Sequence, residues 1–344
     1  MIRVFDIRDV GIVQRFSPLL RPLAYESVAV DGLYPLRDAM RAYLSGSLDH
    51  AVTLVRRDQD TRDQDAFGLM YLVPSSNPAH PETRYAAMIC MSPYPQNEEL
   101  TNAWVELAEA FVSYAGEHGI ESITAETPES SNESDALRRV GYTPLLHQDI
   151  MKLSALPDDM ETPDLIGMRQ QDERDELAVK LLRMRAVPKL LQKSEGNTDL
   201  TRLTHHSDCG FILMRDQEPL AHISLHQGRR GFGMQVLFRH EAEDLAEPAL
   251  LYALANLCDS RKRPVYCMVP SYESWLLPVL DHIGFTHVTS NNIMVKHTTS
   301  PIRQPVWSVQ PQHAHNKLIK GETKLHHSTT GEPAALKAVR SQYE

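Results

Sequence analysis

The sequence predicts an α/β chain in which a mixed, mostly antiparallel sheet flanked by helices is built twice in tandem. Three observations carry this. Within DALRRVGYTPLLHQDIMKL (135–153) and VLDHIGFTHVTSNNIMVKH (279–297), an offset of 143 sets Gly141 on Gly284, Thr143 on Thr286, Ile150 on Ile293 and Met151 on Met294. Leu137, Val140 and Tyr142 likewise fall on Leu280, Ile283 and Phe285, which marks one structural unit used twice. In both copies a helical pattern stops at Gly, the left-handed cap, and an aromatic opens an extended segment. Finally, SALPDDMETPD (154–164) separates two similar orders of apolar runs with prolines, acids and no apolar period.

The elements follow in order. IRVFDI (2–7) reads as a strand, and DVGIVQRFSPLL as a short helix stopped by Pro18 and Pro22. PLRDAMRAYLSGS (35–47) carries Leu36, Met40, Tyr43 and Leu44 at helical spacing, with Pro35 suited to the first turn. AVTLVRR (51–57), AFGLMYLV (66–73) and RYAAMICM (84–91) read as consecutive antiparallel strands. A long helix over 99–119, a strand SITAET, a helix over 133–140 and an extended pair over 142–153 complete the first copy. The second copy gives strand LIGMR, helix DERDELAVKLLRMRAV, strands GFILMR, LAHISLH and FGMQVLF, helix AEPALLYALANLC, strand VYCMVP, helix ESWLLPVLDHIG and a closing pair 285–297. Pro188 and Pro278 are expected to bend or break their helices. The 344 residues thus divide into 1–153, a linker 154–163, 164–297 and a flexible tail 298–344, with a short helix expected near 334–339.

Composition excludes several function classes. Asp plus Glu exceed Lys plus Arg by 45 to 35, a net charge of −10, which opposes phosphate-backbone binding and anionic membrane surfaces. The tail's modest basic excess does not make a nucleic-acid arm. Cys90, Cys209, Cys258 and Cys267 show no metal or disulfide spacing and suit reduced thiols. No run of 18 apolar residues occurs and MIRVFDIRDVG has no signal-peptide core, so a cytoplasmic protein is expected. The 16 histidines, including His205–His206 and His326–His327, form no HxxxH or HExxH on an expected helix, so no metal site is assigned. HQGRRGFG (226–233) lies between strands and reads as a hairpin turn, with Arg229 and Arg230 able to guide an anion.

The element order, closing on Gly-Tyr and Gly-Phe in turn, resembles the GNAT superfamily of acyl-CoA N-acyltransferases. The resemblance covers 1–153 and 164–297. It implies acetyl-CoA or another acyl-CoA as co-substrate and an amine acceptor, a small molecule or a peptide. It also implies a loop, V-x-P-x-x-[RQ]-G-x-G-x-[GA], whose backbone N–H groups at a helix N-terminus hold the coenzyme diphosphate. The thioester is then expected where the fourth and fifth strands splay apart, with a carboxylate base and a leaving-group Tyr in the last helix.

Carried over residue by residue, the first loop is Met91, Ser92, Pro93, Gln96, Asn97, Glu99 and Thr101. In the second, Val236, Ala242 and Ala246 match, with Glu241 at the Arg/Gln position and Asp244 at the central glycine. Glu99 and Asp244 thus stand where the family has glycine. Each would repel a diphosphate by about a kcal/mol per close charge pair and is expected to cap the helix itself. The leaving-group position holds Leu137 in one copy and Leu280 in the other, and Tyr142 belongs to the next strand. On the fifth strands, Glu126 is the candidate base and Tyr266 the candidate acid. Two readings stay open: a tandem N-acyltransferase, or a GNAT-fold binding or scaffold protein that has lost the coenzyme loop and catalytic Tyr in both copies.

Overall fold

The computed structural model describes residues 1–45, 51–58, 64–74, 84–156, 162–189, 191, 209–257 and 263–298. The tail beyond Thr298, part of the linker, Cys258 and the histidine pairs at 205–206 and 326–327 lie outside these. Residues 1–300 form one compact unit.

The first copy runs β1 (Ile2–Val4), α1 (Val10–Phe16), β2 (Arg21–Pro22), α2 (Tyr25–Asp31), α3 (Pro35–Ser45), β3 (Ala51–Arg56), β4 (Ala66–Pro74), β5 (Arg84–Ser92), α4 (Glu98–Glu117), β6 (Ile120–Pro128), α5 (Asn132–Arg139) and β7 (Thr143–Leu153). The second runs β8 (Met168–Gln170), α6 (Glu176–Ala186), β9 (Cys209–Arg215), β10 (Glu218–Gln227), β11 (Phe232–Phe238), α7 (Ala246–Ala255), β12 (Val265–Pro270), α8 (Leu276–Ile283) and β13 (Thr286–His297).

The same local device opens both copies. Asp6 and Asp9 form a capping box over a short 3-10 turn after β1, and Arg3 binds Asp9 at 2.9 Å; Asp172, Asp175 and Arg169 repeat the arrangement after β8. The long helix α4 buries Ala103, Trp104, Leu107, Ala108, Phe111 and Ala115, the three-and-four spacing of a helix packed on a sheet. α5 and α8 both end before a glycine in the left-handed region, Gly141 at φ 88° and Gly284 at φ 106°.

All thirteen described strands belong to one sheet, ordered β1-β3-β4-β5-β6-β13-β7-β12-β11-β10-β9-β8, with β2 attached to β5. The two closing strands are exchanged. β7 pairs with β12 of the second copy and β13 with β6 of the first, while β7 and β13 lie antiparallel to each other at the centre. Gln148 faces Asn291, its own counterpart in the repeat, and the flanking pairs Thr143–Val295 and Lys152–Thr286 are likewise images of each other. An approximate two-fold axis therefore passes between Gln148 and Asn291. The exchange reaches the cores: Met294 is buried among first-copy residues such as Trp104 and Phe111, and Met151 and Leu153 among second-copy residues such as Met234 and Cys267.

Several expectations are corrected. Each closing pair is one long strand, 143–153 and 286–297. β1 stops at Val4 because Asp6 opens the 3-10 turn. Pro188 does end α6 at Ala186, but Pro278 sits in the first turn of α8, where a missing N–H costs nothing, and so helps start that helix. β2 and α2 had no counterpart in the sequence reading.

Candidate functional site

β5 and β6 run parallel and paired from Arg84–Ile120 to Ala87–Thr124, and beyond that they part. β2 enters the gap, pairing Arg21 with Met91 and Pro22 with Cys90. Leu23 completes the crossing: its N–H donates to the Ile89 carbonyl at 2.8 Å, and its own carbonyl accepts from the Glu126 N–H at 2.7 Å. β11 and β12 pair from Phe232–Val265 to Met234–Cys267 and then part in the same way. Among the described residues no backbone hydrogen bond spans that second gap.

The residues of the first loop are turned inward or engaged with one another. Met91 is fully buried, and the Ser92 hydroxyl donates to the Phe16 carbonyl at 2.6 Å. The Trp104 indole N–H donates to the Pro93 carbonyl at 2.5 Å. The Gln96 N–H donates to the Tyr94 carbonyl at 2.9 Å. The cap of α4 is Asn97, whose side-chain oxygen accepts from the Leu100 N–H, and the Thr101 hydroxyl donates back to the Asn97 carbonyl. Glu99, the expected cap, instead accepts from the Gln64 carboxamide at 2.9 Å, because a residue already inside the first turn projects away from the free N–H groups.

In the second copy Val236, Ala242 and Ala246 are buried in the core. Asp244 is exposed and does not cap α7, which continues directly from a 3-10 turn over His240–Leu245 with no side-chain cap. That turn and the start of α7 carry Glu241, Glu243, Asp244 and Glu247. Arg239 is bound by Glu218 and Glu241, and His240 by Glu243. Leu137 and Leu280 are fully buried core residues, and burial pushes the Tyr142 phenol up.

Glu126 is the best-built polar group of the site. It sits on β6 at the edge of the first gap, 9% exposed, and burial raises its carboxyl to about 7 against the pull of hydrogen bonds from the Tyr25 N–H, Asn291 and Gln148. The two carboxamides are the pair on the two-fold axis. Tyr25, at the start of α2, has its phenol raised by burial and by Tyr266 and Glu126. Glu126 and Tyr266, chosen from the sequence on separate strands, are thus brought together through Tyr25. Lys152 lies 5.8 Å from the Tyr266 ring centre.

α2 continues across the face of the second copy, against β11 and β12. Glu26 is 3.3 Å from His226 of β10, both buried, and a Cβ at Gly233 would strike both side chains. The turn after β10 is the expected hairpin, and its Arg230 and Gly231 N–H groups donate to the Val30 carbonyl at the end of α2. Arg229 lies over the Tyr34 ring. Sequence reasoning missed Tyr25, Glu26, Gln148, Asn291 and His226. The usable signal for two of them was the overlay itself, which sets carboxamides Gln148 and Asn291 at equivalent positions in otherwise differing strands.

No family model matches the sequence, and no curated protein matches it. Solved structures do. A GCN5-related N-acetyltransferase from Sphaerobacter thermophilus superposes with TM-score 0.51 at 13% identity, over 88% of this chain and 96% of that one. A tandem GNAT protein from the clavulanic acid biosynthesis pathway, in a form without acetyl-CoA, gives TM-score 0.49 at 14% identity over 87% and 99%. A putative acetyltransferase from Pyrococcus horikoshii gives 0.45 at 13% identity over 87% and 89%. The first of these, together with the strand order found twice in one sheet, identifies the architecture: the chain has the GNAT fold in tandem.

Proposed function

We propose that this protein is a GNAT-fold binding protein rather than a working acyl-CoA transferase, and that it takes an amine-bearing small molecule or peptide at its polar centre. The observation that carries this reading is the state of the two helix starts where a coenzyme diphosphate would be held. At α4, Asn97 already satisfies the Leu100 N–H, and the first turn carries Glu98, paired with Arg139, and Glu99. At the second, four acids line the turn and the first residues of α7, and the neighbouring arginine is already paired. A diphosphate brought to either would lose donors and gain repulsion. The amine class is supported by the buried carboxyls Glu26 and Glu126 beside Tyr25 and Tyr266.

One observation favours transfer chemistry as a second reading. A buried carboxyl raised to about 7 beside Tyr25 is a suitable general base for an amine at neutral pH. Calorimetry and thermal shift with acetyl-CoA and free CoA separate the two. The binding-protein reading expects no saturable effect at millimolar ligand. Stabilisation by about 2.7 kcal/mol at a hundred times Kd, with thiol release on adding amines, would replace it with the transferase reading.

A further inference from the structure

The parting of β5 and β6 exposes polar edge groups on both strands, and such groups must be met by something. Here the chain meets them itself. Ile89, Cys90 and Met91 on one side and Glu126 on the other are joined to residues 21–25 by strand pairing and by the Leu23 bonds. The Tyr25 N–H then donates to the Glu126 carboxylate at 3.1 Å. Successive side chains of the segment alternate between the two faces, as in a true strand: Leu23, 1% exposed, enters the core with Trp104, and Ala24 enters the opposite core with Ile89. Its lead-in is fixed as well. Arg21 lies 3.5 Å from Glu133 and over the Tyr94 ring, and the Tyr94 N–H donates to the Leu19 carbonyl.

We propose that residues 21–25 are an internal ligand of the first copy, an inserted strand that fills the gap an acyl thioester would enter and keeps it shut. An amide-bearing arm threaded there would need the Ile89 carbonyl and the Glu126 N–H, and Leu23 holds both. Because α2 follows directly, the strap also sets Tyr25 and Glu26 against Tyr266 and His226, so one segment closes the first gap and builds the centre of the molecule. This goes beyond the proposed function, which rests on the diphosphate positions.

The test uses S-acetylpantetheine, which has the thioester and amides of acetyl-CoA but no diphosphate, so its result is independent of the helix starts. Amide NMR of the full chain is followed for wild type and for Leu23→Gly, which removes the core anchor and loosens the strand. Wild type is expected to show no saturable shift at Ile89 or Glu126, and Leu23→Gly saturable shifts at both, with a Kd at least about tenfold below the highest concentration to which wild type fails to respond, as the open fraction of the gap rises. Saturable wild-type shifts at those amides would overturn the proposal. So would a folded Leu23→Gly protein with a mobile strap that still takes no thioester. If Leu23→Gly fails to fold, hydrogen exchange on wild type decides. The Leu23, Tyr25 and Glu126 amides must exchange as slowly as their β5 and β6 neighbours, and loop-like exchange refutes the strap.

Discussion

The two gaps of the sheet are built alike and finished differently. Between β5 and β6 the chain supplies its own third strand, whereas between β11 and β12 the edges 235–238 and 268–270 face each other with no described backbone bond across them. A duplicated fold thus need not keep a duplicated site. One copy has its gap closed as a structural joint, with the edge groups of β5 and β6 bonded by residues 21–23. The other keeps the geometry from which a ligand gap is made.

The sharpest way to break this contrast is at Leu23. Leu23→Ala is expected to cost about 3 kcal/mol in urea unfolding, the usual cost of a cavity at a fully buried leucine. A cost below about 1 kcal/mol would mean that the strap carries little of the first copy's stability.

Glu126 gives the next largest effect. Its carboxyl rises from 4.5 to about 7 on folding, so the folded state holds its proton more tightly than the unfolded one. Stability should therefore fall as pH climbs from about 4.5 to about 7 and then level off, by up to about 3 kcal/mol from this group. Glu126→Gln should flatten that slope in a pH series of unfolding curves. An unchanged slope would show that Glu126 is not the group responsible.

A tryptophan scan then sharpens the comparison directly. Ile89→Trp has no room beside the strap and should cost about 1–3 kcal/mol through overpacking. Met268→Trp, on the half-buried edge of the second gap, should stay within about 0.5 kcal/mol. Equal costs in thermal melts would erase the distinction between the gaps. The smallest effect is at the helix starts. Asn97→Ala should lose about 1 kcal/mol with its cap, and Asp244→Ala close to nothing, since Asp244 caps no helix.

Much of the fold was legible in the sequence because it lives in short-range pattern. β11 and β12 begin and end where their apolar runs do, and the overlay at 143 located both closing elements. The exchange of β7 and β13 was not legible, since two strands with the same apolar pattern fit either half equally well. β2 and α2 were hidden for another reason: RPLAYESVAV is short, has a proline at its second residue and takes its structure from partners about 70 and 100 residues away. The site shows the same division. Glu126 and Tyr266 stood out as polar residues on strands, but Tyr25 could not, because only the strap brings it to them.

The exchanged strands also set an order of events in synthesis. When Leu153 is added the whole of the first copy's own sequence has been made, yet neither the native outer-edge neighbour of β6 nor Met294, which completes its core, exists. Neither is present until residues 286–297 emerge, after the whole second copy has been made. The earlier half of this protein thus reaches its native pairing only after the later half has been made, and until then the edge of β6 is open to any strand that fits it, β7 included.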